Sequence, residues 1–82
     1  MKNKVLVELI VPEIDEIFNV YFPINRRIGN VVELLNKSLN DITGGIYGNE
    51  QNFLYSESGE KYNFNSLVRE TDIRNGTRVV LF

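Results

Sequence analysis

The sequence predicts an α+β fold in which one main helix packs across one face of a mixed sheet. Three observations carry this. Two apolar, β-branched runs of strand length stand at the amino-terminal end, separated by a short connection containing Pro12. Ile28, Val31, Val32, Leu35 and Leu39 then recur at i, i+3, i+4, i+7 and i+11, which lines up one face of a helix. A last strand-like run, Thr77-Arg78-Val79-Val80-Leu81-Phe82, follows the turn dipeptide Asn75-Gly76.

Each element can be justified in order. Lys4-Val5-Leu6-Val7-Glu8-Leu9-Ile10-Val11 is too short for a typical helix and reads as a strand; Pro12–Asp15 is a connection. Glu16-Ile17-Phe18-Asn19-Val20-Tyr21-Phe22 is a second strand, stopped by Pro23. If Val11 faces Glu16, then Leu9 faces Phe18, Val7 faces Val20 and Val5 faces Phe22. That aligned set is apolar and forms the core side. The other side pairs Ile10 with Ile17, Glu8 with Asn19 and Leu6 with Tyr21, so it is only half polar.

The helix is expected over residues 27–41, opened either by Asn25 as a cap or by Asn30 with Glu33 as a capping box. Thr43-Gly44-Gly45 ends it, and residues 48–51 read as loop. Asn52–Ser56 reads as a strand and Glu57-Ser58-Gly59-Glu60 as a turn. Lys61 and Tyr62 return as a short strand, and Asn65–Val68 suggests one helical turn. The face presented by Phe53, Leu54 and Tyr55 stays open at this level.

Composition limits what the chain can do. With 82 residues, 43% hydrophobic and 24% charged, it is expected to be one globular domain over 1–82. Alanine is absent, so the apolar content is nearly all Val, Leu, Ile, Phe and Tyr, which suit sheets. There is no cysteine and no histidine, which removes thiol nucleophiles, disulfides, typical zinc sites and histidine acid–base chemistry. A formal charge of −2 and a pI near 5.0 argue against general nucleic-acid affinity. No apolar run approaches the ~18 residues of a membrane span, so direct membrane insertion is not expected. Met1-Lys2-Asn3-Lys4 leads straight into the first strand without a signal-peptide pattern, and a cytoplasmic location is expected.

With the amino-terminal hairpin, Ile28-Gly29-Asn30-Val31-Val32 opening the helix, and Asp72-Ile73-Arg74-Asn75-Gly76-Thr77-Arg78-Val79-Val80-Leu81 at the end, the chain resembles ubiquitin-like β-grasp proteins over nearly all its length. Within them it is most similar to the unconjugated bacterial YukD-like family associated with type VII (WXG-type) secretion. The resemblance implies a last strand lying parallel to the first at the sheet centre, with Val79 and Leu81 under the helix and Val80 and Phe82 on the opposite side. Modifiers and sulfur carriers of this superfamily use an exposed Gly-Gly tail. The sequence given stops at Phe82 and its Gly44-Gly45 lies mid-chain, so conjugation is not expected. No cofactor or metal is expected.

Other candidate chemistry is thin. Glu13, Asp15 and Glu16 lack the glycine-centred ligand spacing of a calcium loop and read as a solvated acidic loop. Serine and threonine have no histidine base, and no P-loop pattern occurs. Arg26 and Arg27 oppose the helix dipole, and with Arg74 and Arg78 they raise the question of a basic patch. The side away from the helix is the strongest candidate. Leu6, Ile10, Ile17, Tyr21, Val80 and Phe82 should lie together there, forming an apolar protein-binding surface. The resemblance implies a secretion-machine membrane component as partner for a non-enzymatic accessory; a homodimer through the same face is the alternative.

Overall fold

β1 (Lys4–Val11) and β2 (Glu16–Pro23) pair antiparallel in the register that the apolar alternation predicts: Val5 faces Phe22, Val7 faces Val20, Leu9 faces Phe18 and Val11 faces Glu16. This is a computed structural model, and it describes residues 3–45, 47 and 52–82. The expected loop at residues 48–51 lies outside the described residues. The hairpin connection is a 3₁₀ turn, Pro12–Ile14, closed by Asp15 in the left-handed region at φ 53°, a conformation that a short polar side chain tolerates. Pro23 ends β2 on an outer strand, where a missing N–H costs no ladder bond.

α1 (Ile28–Ile42) buries Ile28, Val31, Val32, Leu35 and Leu39, the stripe read from the sequence. Its start differs from expectation. The N-cap is Arg27, with no side-chain cap from Asn25 or Asn30. Instead the N–H groups of Ile28 and Gly29 donate to the carbonyls of Ser66 and Phe64, at 2.8 and 3.0 Å. The Arg27 guanidinium donates to the Asn65 carbonyl. A distant segment therefore satisfies donors that a helix otherwise leaves bare. Gly29 permits this approach: a Cβ there would meet Phe64 at 3.3 Å.

The far end is local. Gly44 N–H donates to Asp41 O and Gly45 N–H to Asn40 O, with both glycines at positive φ. That is a Schellman closure, so Gly44-Gly45 terminates the helix as the sequence suggests.

Two short strands complete the sheet, β3 (Leu54–Ser56) and β4 (Arg78–Leu81), in the order β2-β1-β4-β3. β4 runs parallel to β1, placing Val79 beside Leu9 and Val80 beside Ile10, and antiparallel to β3. Phe53 and Phe82 extend that second ladder through two 3.0 Å bonds. The turn that feeds β4 docks on β1: Gly76, at φ 86°, donates to Leu6 O while the Asn75 side chain accepts from Leu6 N–H.

Two expectations change here. The return strand at Lys61–Tyr62 is a single bridge between Lys61 and Tyr55. The helical turn lies at Val68–Glu70 rather than Asn65–Val68. The physical reason is that residues 63–66 close a turn of their own, Ser66 N–H donating to Asn63 O at 3.1 Å, and give the Phe64 and Ser66 carbonyls to the start of α1. The turn begins only where Glu70 Oε1 accepts from Leu67 N–H at 2.7 Å.

The core forms between the helix and the inner side of the sheet. Val7, Leu9, Val11, Phe22, Val79 and Leu81 supply the sheet side; Leu54, Val68, Ile73 and Tyr47 close the margins. Tyr47 is buried, and its hydroxyl accepts from the Asn52 amide at 2.6 Å while that amide also donates to Asn36. Among the described residues no helix is long and apolar enough to cross a membrane.

Candidate protein-binding face

Strand alternation puts Leu6, Glu8 and Ile10 of β1 on the side away from the helix, beside Tyr21, Asn19 and Ile17 of β2. β4 contributes Arg78 and Val80 to the same side, and β3 contributes Tyr55 opposite Val80. The pairings sort these residues into three rows across the strands. Ile17, Ile10, Val80 and Tyr55 form a continuous apolar row, with Phe82 and Phe53 at its margin. With neighbouring strands about 4.8 Å apart, that row spans roughly 14 Å. The next row is Asn19, Glu8 and Arg78. The third row holds Tyr21 and Leu6.

The middle row is a polar belt. Arg78 Nε lies 3.1 Å from Glu8 Oε1, and its Nη1 lies 3.0 Å from Glu57 Oε2. The Glu8 charge, then the hydrogen bond to Glu57, raise the guanidinium pKa above its ordinary value. The fixed cation thus sits between two carboxylates.

The six residues picked from the sequence all lie on this side, but they do not form one patch. Ile10, Ile17, Val80 and Phe82 belong to the long row and its end. Leu6 and Tyr21 form a separate island beyond the belt. Ile17 is 60% exposed, Phe82 66%, Tyr21 52% and Leu6 37%, whereas Ile10 and Val80 are half-buried between their neighbours. Sequence reasoning missed Tyr55 and the belt. Tyr55 is displayed because its neighbour Leu54 is wholly buried in the core. Phe53 stacks on Phe64 with ring centroids 5.3 Å apart, and Lys61 Nζ stands 4.3 Å above the Phe53 ring. The row's margin is therefore an aromatic–cation cluster.

The arginines are placed separately. Arg27 binds the Asn65 carbonyl, Arg74 Nη1 donates back to Thr71 O and Ile73 O, and Arg78 joins the belt. Tyr62 donates to Asp72 Oδ1 at 2.8 Å. Burial, reinforced by that hydrogen bond, raises the Tyr62 pKa well above 10.0, and burial likewise raises that of Tyr47. The Tyr47 hydroxyl is an acceptor inside the core, and the Tyr62 hydroxyl is a donor at its surface margin. Among the described residues, no cluster of acidic side chains has the geometry to hold a metal ion.

An amino-terminal hairpin, one helix across its inner side and a last strand running parallel to the first define the ubiquitin-like β-grasp class. Solved structures of that class match closely in shape. A chain of an ESX-5 inner-membrane complex gives a TM-score of 0.81 at 17% identity, covering 98% of this chain and 21% of that chain. The EccD5 ubiquitin-like domain of Mycobacterium xenopi gives 0.70 at 17% identity, covering 96% and 92%. A designed protein based on ubiquitin gives 0.68 at 18% identity, covering 100% and 90%. This chain spans only about a fifth of the ESX-5 chain it matches, at 21%. No protein-family model matches the chain, and no curated protein matches its sequence.

Proposed function

We propose that residues 1–82 act as one non-enzymatic ubiquitin-like binding module, an accessory of a bacterial type VII secretion system that docks from the cytoplasm on a membrane component. The observation that carries the reading is the apolar row Ile17–Ile10–Val80–Tyr55 on the side of the sheet away from the helix, with Ile17 exposed and the other three half-buried. Burial of such a row drives association, while charged neighbours set which partner fits. The belt of Glu8, Arg78 and Glu57 and the Lys61 cation supply that rim here. The shape likeness to a chain of an ESX-5 inner-membrane complex and to the EccD5 domain supports the choice of partner.

The test is co-purification with a detergent-solubilised type VII membrane assembly, comparing the wild-type protein with Ile10→Lys and Val80→Lys. Capture by the wild type and loss in both folded variants is the expected result. Equal capture of all three would refute docking through this row.

A further inference from the structure

The two edges of the sheet are finished differently. β3 is covered, since Ser56 N–H donates to Glu60 O and Tyr62 N–H donates to Leu54 O. β2 has no such cover among the described residues. It is eight residues long, pairs without a bulge along its whole length, and keeps its single charge, Glu16, and its single proline, Pro23, at the two ends, away from Ile17–Tyr21. Natural sheets blunt an exposed edge with one of these devices or keep it for pairing.

Backbone phase tells which groups of β2 are free. In β1, Leu6 and Glu8 direct their N–H and C=O groups toward β4 and its preceding turn: Gly76 N–H donates to Leu6 O and Glu8 N–H to Thr77 O. The alternate residues Val5, Val7, Leu9 and Val11 therefore serve Phe22, Val20, Phe18 and Glu16. Ile17, Asn19 and Tyr21 are left pointing outward, with three N–H and three C=O groups presented at the edge.

We propose that β2 pairs antiparallel with β2 of a second copy of this chain, with Asn19 on the two-fold axis. In this register Asn19 faces Asn19, and Ile17 faces Tyr21 on either side. All six free backbone groups of each copy then find partners. A shift of two residues either way brings Pro23 or Asp15 into the ladder and strands some of them. Side chains agree with the backbone. Ile17 meets Tyr21 on the outer side, and Phe18 meets Val20 on the inner side. No like charges stand opposite each other.

Charge complementarity selects a second copy over a foreign strand. Glu13, Asp15 and Glu16 gather at the hairpin tip. Lys4, Arg26 and Arg69 gather at the opposite end, where Lys4 pairs with Pro23 and Arg69 N–H donates to Ile24 O. Antiparallel pairing sets the acidic tip of each copy beside the basic end of the other, twice by symmetry. The same pairing also joins what the polar belt divides. The row Tyr55–Val80–Ile10–Ile17 of one copy continues into Tyr21 and Leu6 of the second, making one surface across two sheets. This edge dimer is distinct from a face-to-face dimer and stands independently of any secretion role.

The test is sedimentation equilibrium of the whole protein from about 1 μM to about 1 mM, a range that spans weak dimers, combined with residue-resolved amide exchange. The expected result is a mass rising toward twice 9.5 kDa, with Ile17, Asn19 and Tyr21 amides gaining protection as it rises. Asn19→Pro removes an edge N–H that β1 does not use, so it should fold and weaken the dimer on the order of tenfold or more. Because the chain has no cysteine, Asn19→Cys offers a second probe that does not depend on the proline variant folding. Opposed residues in this register lie about 5.5 Å apart between Cα atoms, within disulfide reach, so oxidation should cross-link this variant much faster than Ser58→Cys. A monomer throughout, including one whose edge is taken by another protein's strand, overturns the proposal. So does a dimer that leaves the three amides unprotected. Neither result bears on docking through the outer row.

Discussion

The two sides of this sheet are built from the same strands and the same residue types, yet one is closed and the other divided. On the inner side Val7, Leu9, Phe22, Val79 and Leu81 meet the helix with essentially no exposure. On the outer side equally apolar residues alternate with a belt of Glu8, Arg78 and Glu57, so that no apolar area extends along the strands. The difference teaches what burial alone cannot: the apolar content of a strand face says little until the cross-strand rows are known. A row of four apolar residues across the strands is one continuous apolar strip. The same residues split by charges along the strands are not one patch.

The sharpest way to break this comparison is to truncate matched residues on the two sides. Phe22→Ala on the inner side should cost about 3–5 kcal/mol, the lost transfer energy plus a cavity. Ile17→Ala on the outer side should change stability by no more than about 0.5 kcal/mol, as surface substitutions do. Urea unfolding with unchanged m-values measures both. Comparable losses at the two positions would mean that the outer side is covered, and the row would then be core rather than a binding surface.

How much of this was legible in the sequence depended on how local the cause was. The hairpin register followed from a four-residue connection and seven aligned pairs, all within one stretch of chain. The end of α1 was legible for the same reason, since Thr43-Gly44-Gly45 closes it with its own backbone. Its start was not. Asn25 and Asn30 are good caps in isolation, but the carbonyls of Phe64 and Ser66 reach Gly29 and Ile28 first, and no local pattern announces them. The outer face divided along the same line. Period two put Leu6, Ile10, Ile17 and Tyr21 on one side, and the last strand that the resemblance implies added Val80 and Phe82. The belt that separates Leu6 and Tyr21 from the rest exists only because β4 pairs with β1 in the register that sets Arg78 beside Glu8. Glu57 joins through a turn still further away in sequence.

A smaller effect comes from the tyrosines that close the inner layer. The Tyr62 hydroxyl is held neutral by burial and by its bond to Asp72, so its folded pKa lies above the unfolded value of 10.0. The stabilisation from a raised pKa is fully present below the unfolded value and is lost as pH rises beyond it toward the folded one. Tyr47, raised mainly by burial, acts in the same direction. The urea midpoint of the wild type should therefore show no tyrosine-linked loss below about pH 10 and should fall above it. In Tyr62→Phe the fall should be shallower, at a cost near neutral pH of about 1 kcal/mol for the lost hydrogen bond. An identical alkaline profile in the variant would remove Tyr62 from the closure of the core.

The smallest expected change in stability is also the one that sharpens the comparison most. Arg78 is about half exposed, and its partners Glu8 and Glu57 are also solvent-accessible, so solvent screens each ion pair and leaves it a small contribution to stability. Arg78→Leu removes the cation and places an apolar side chain between the long row and the Leu6–Tyr21 island. The folded state should change by less than about 1 kcal/mol in either direction. The surface should change far more, because two apolar areas separated by one charged row become one. Binding of a hydrophobic dye and retention on a phenyl matrix should both increase, and self-association should lose its dependence on the β2 edge. A loss of 2 kcal/mol or more with no gain in dye binding would reverse the assignment: Arg78 would then serve to hold β4 against β1. The polar belt would be part of what keeps the sheet together, not what keeps its outer side divided.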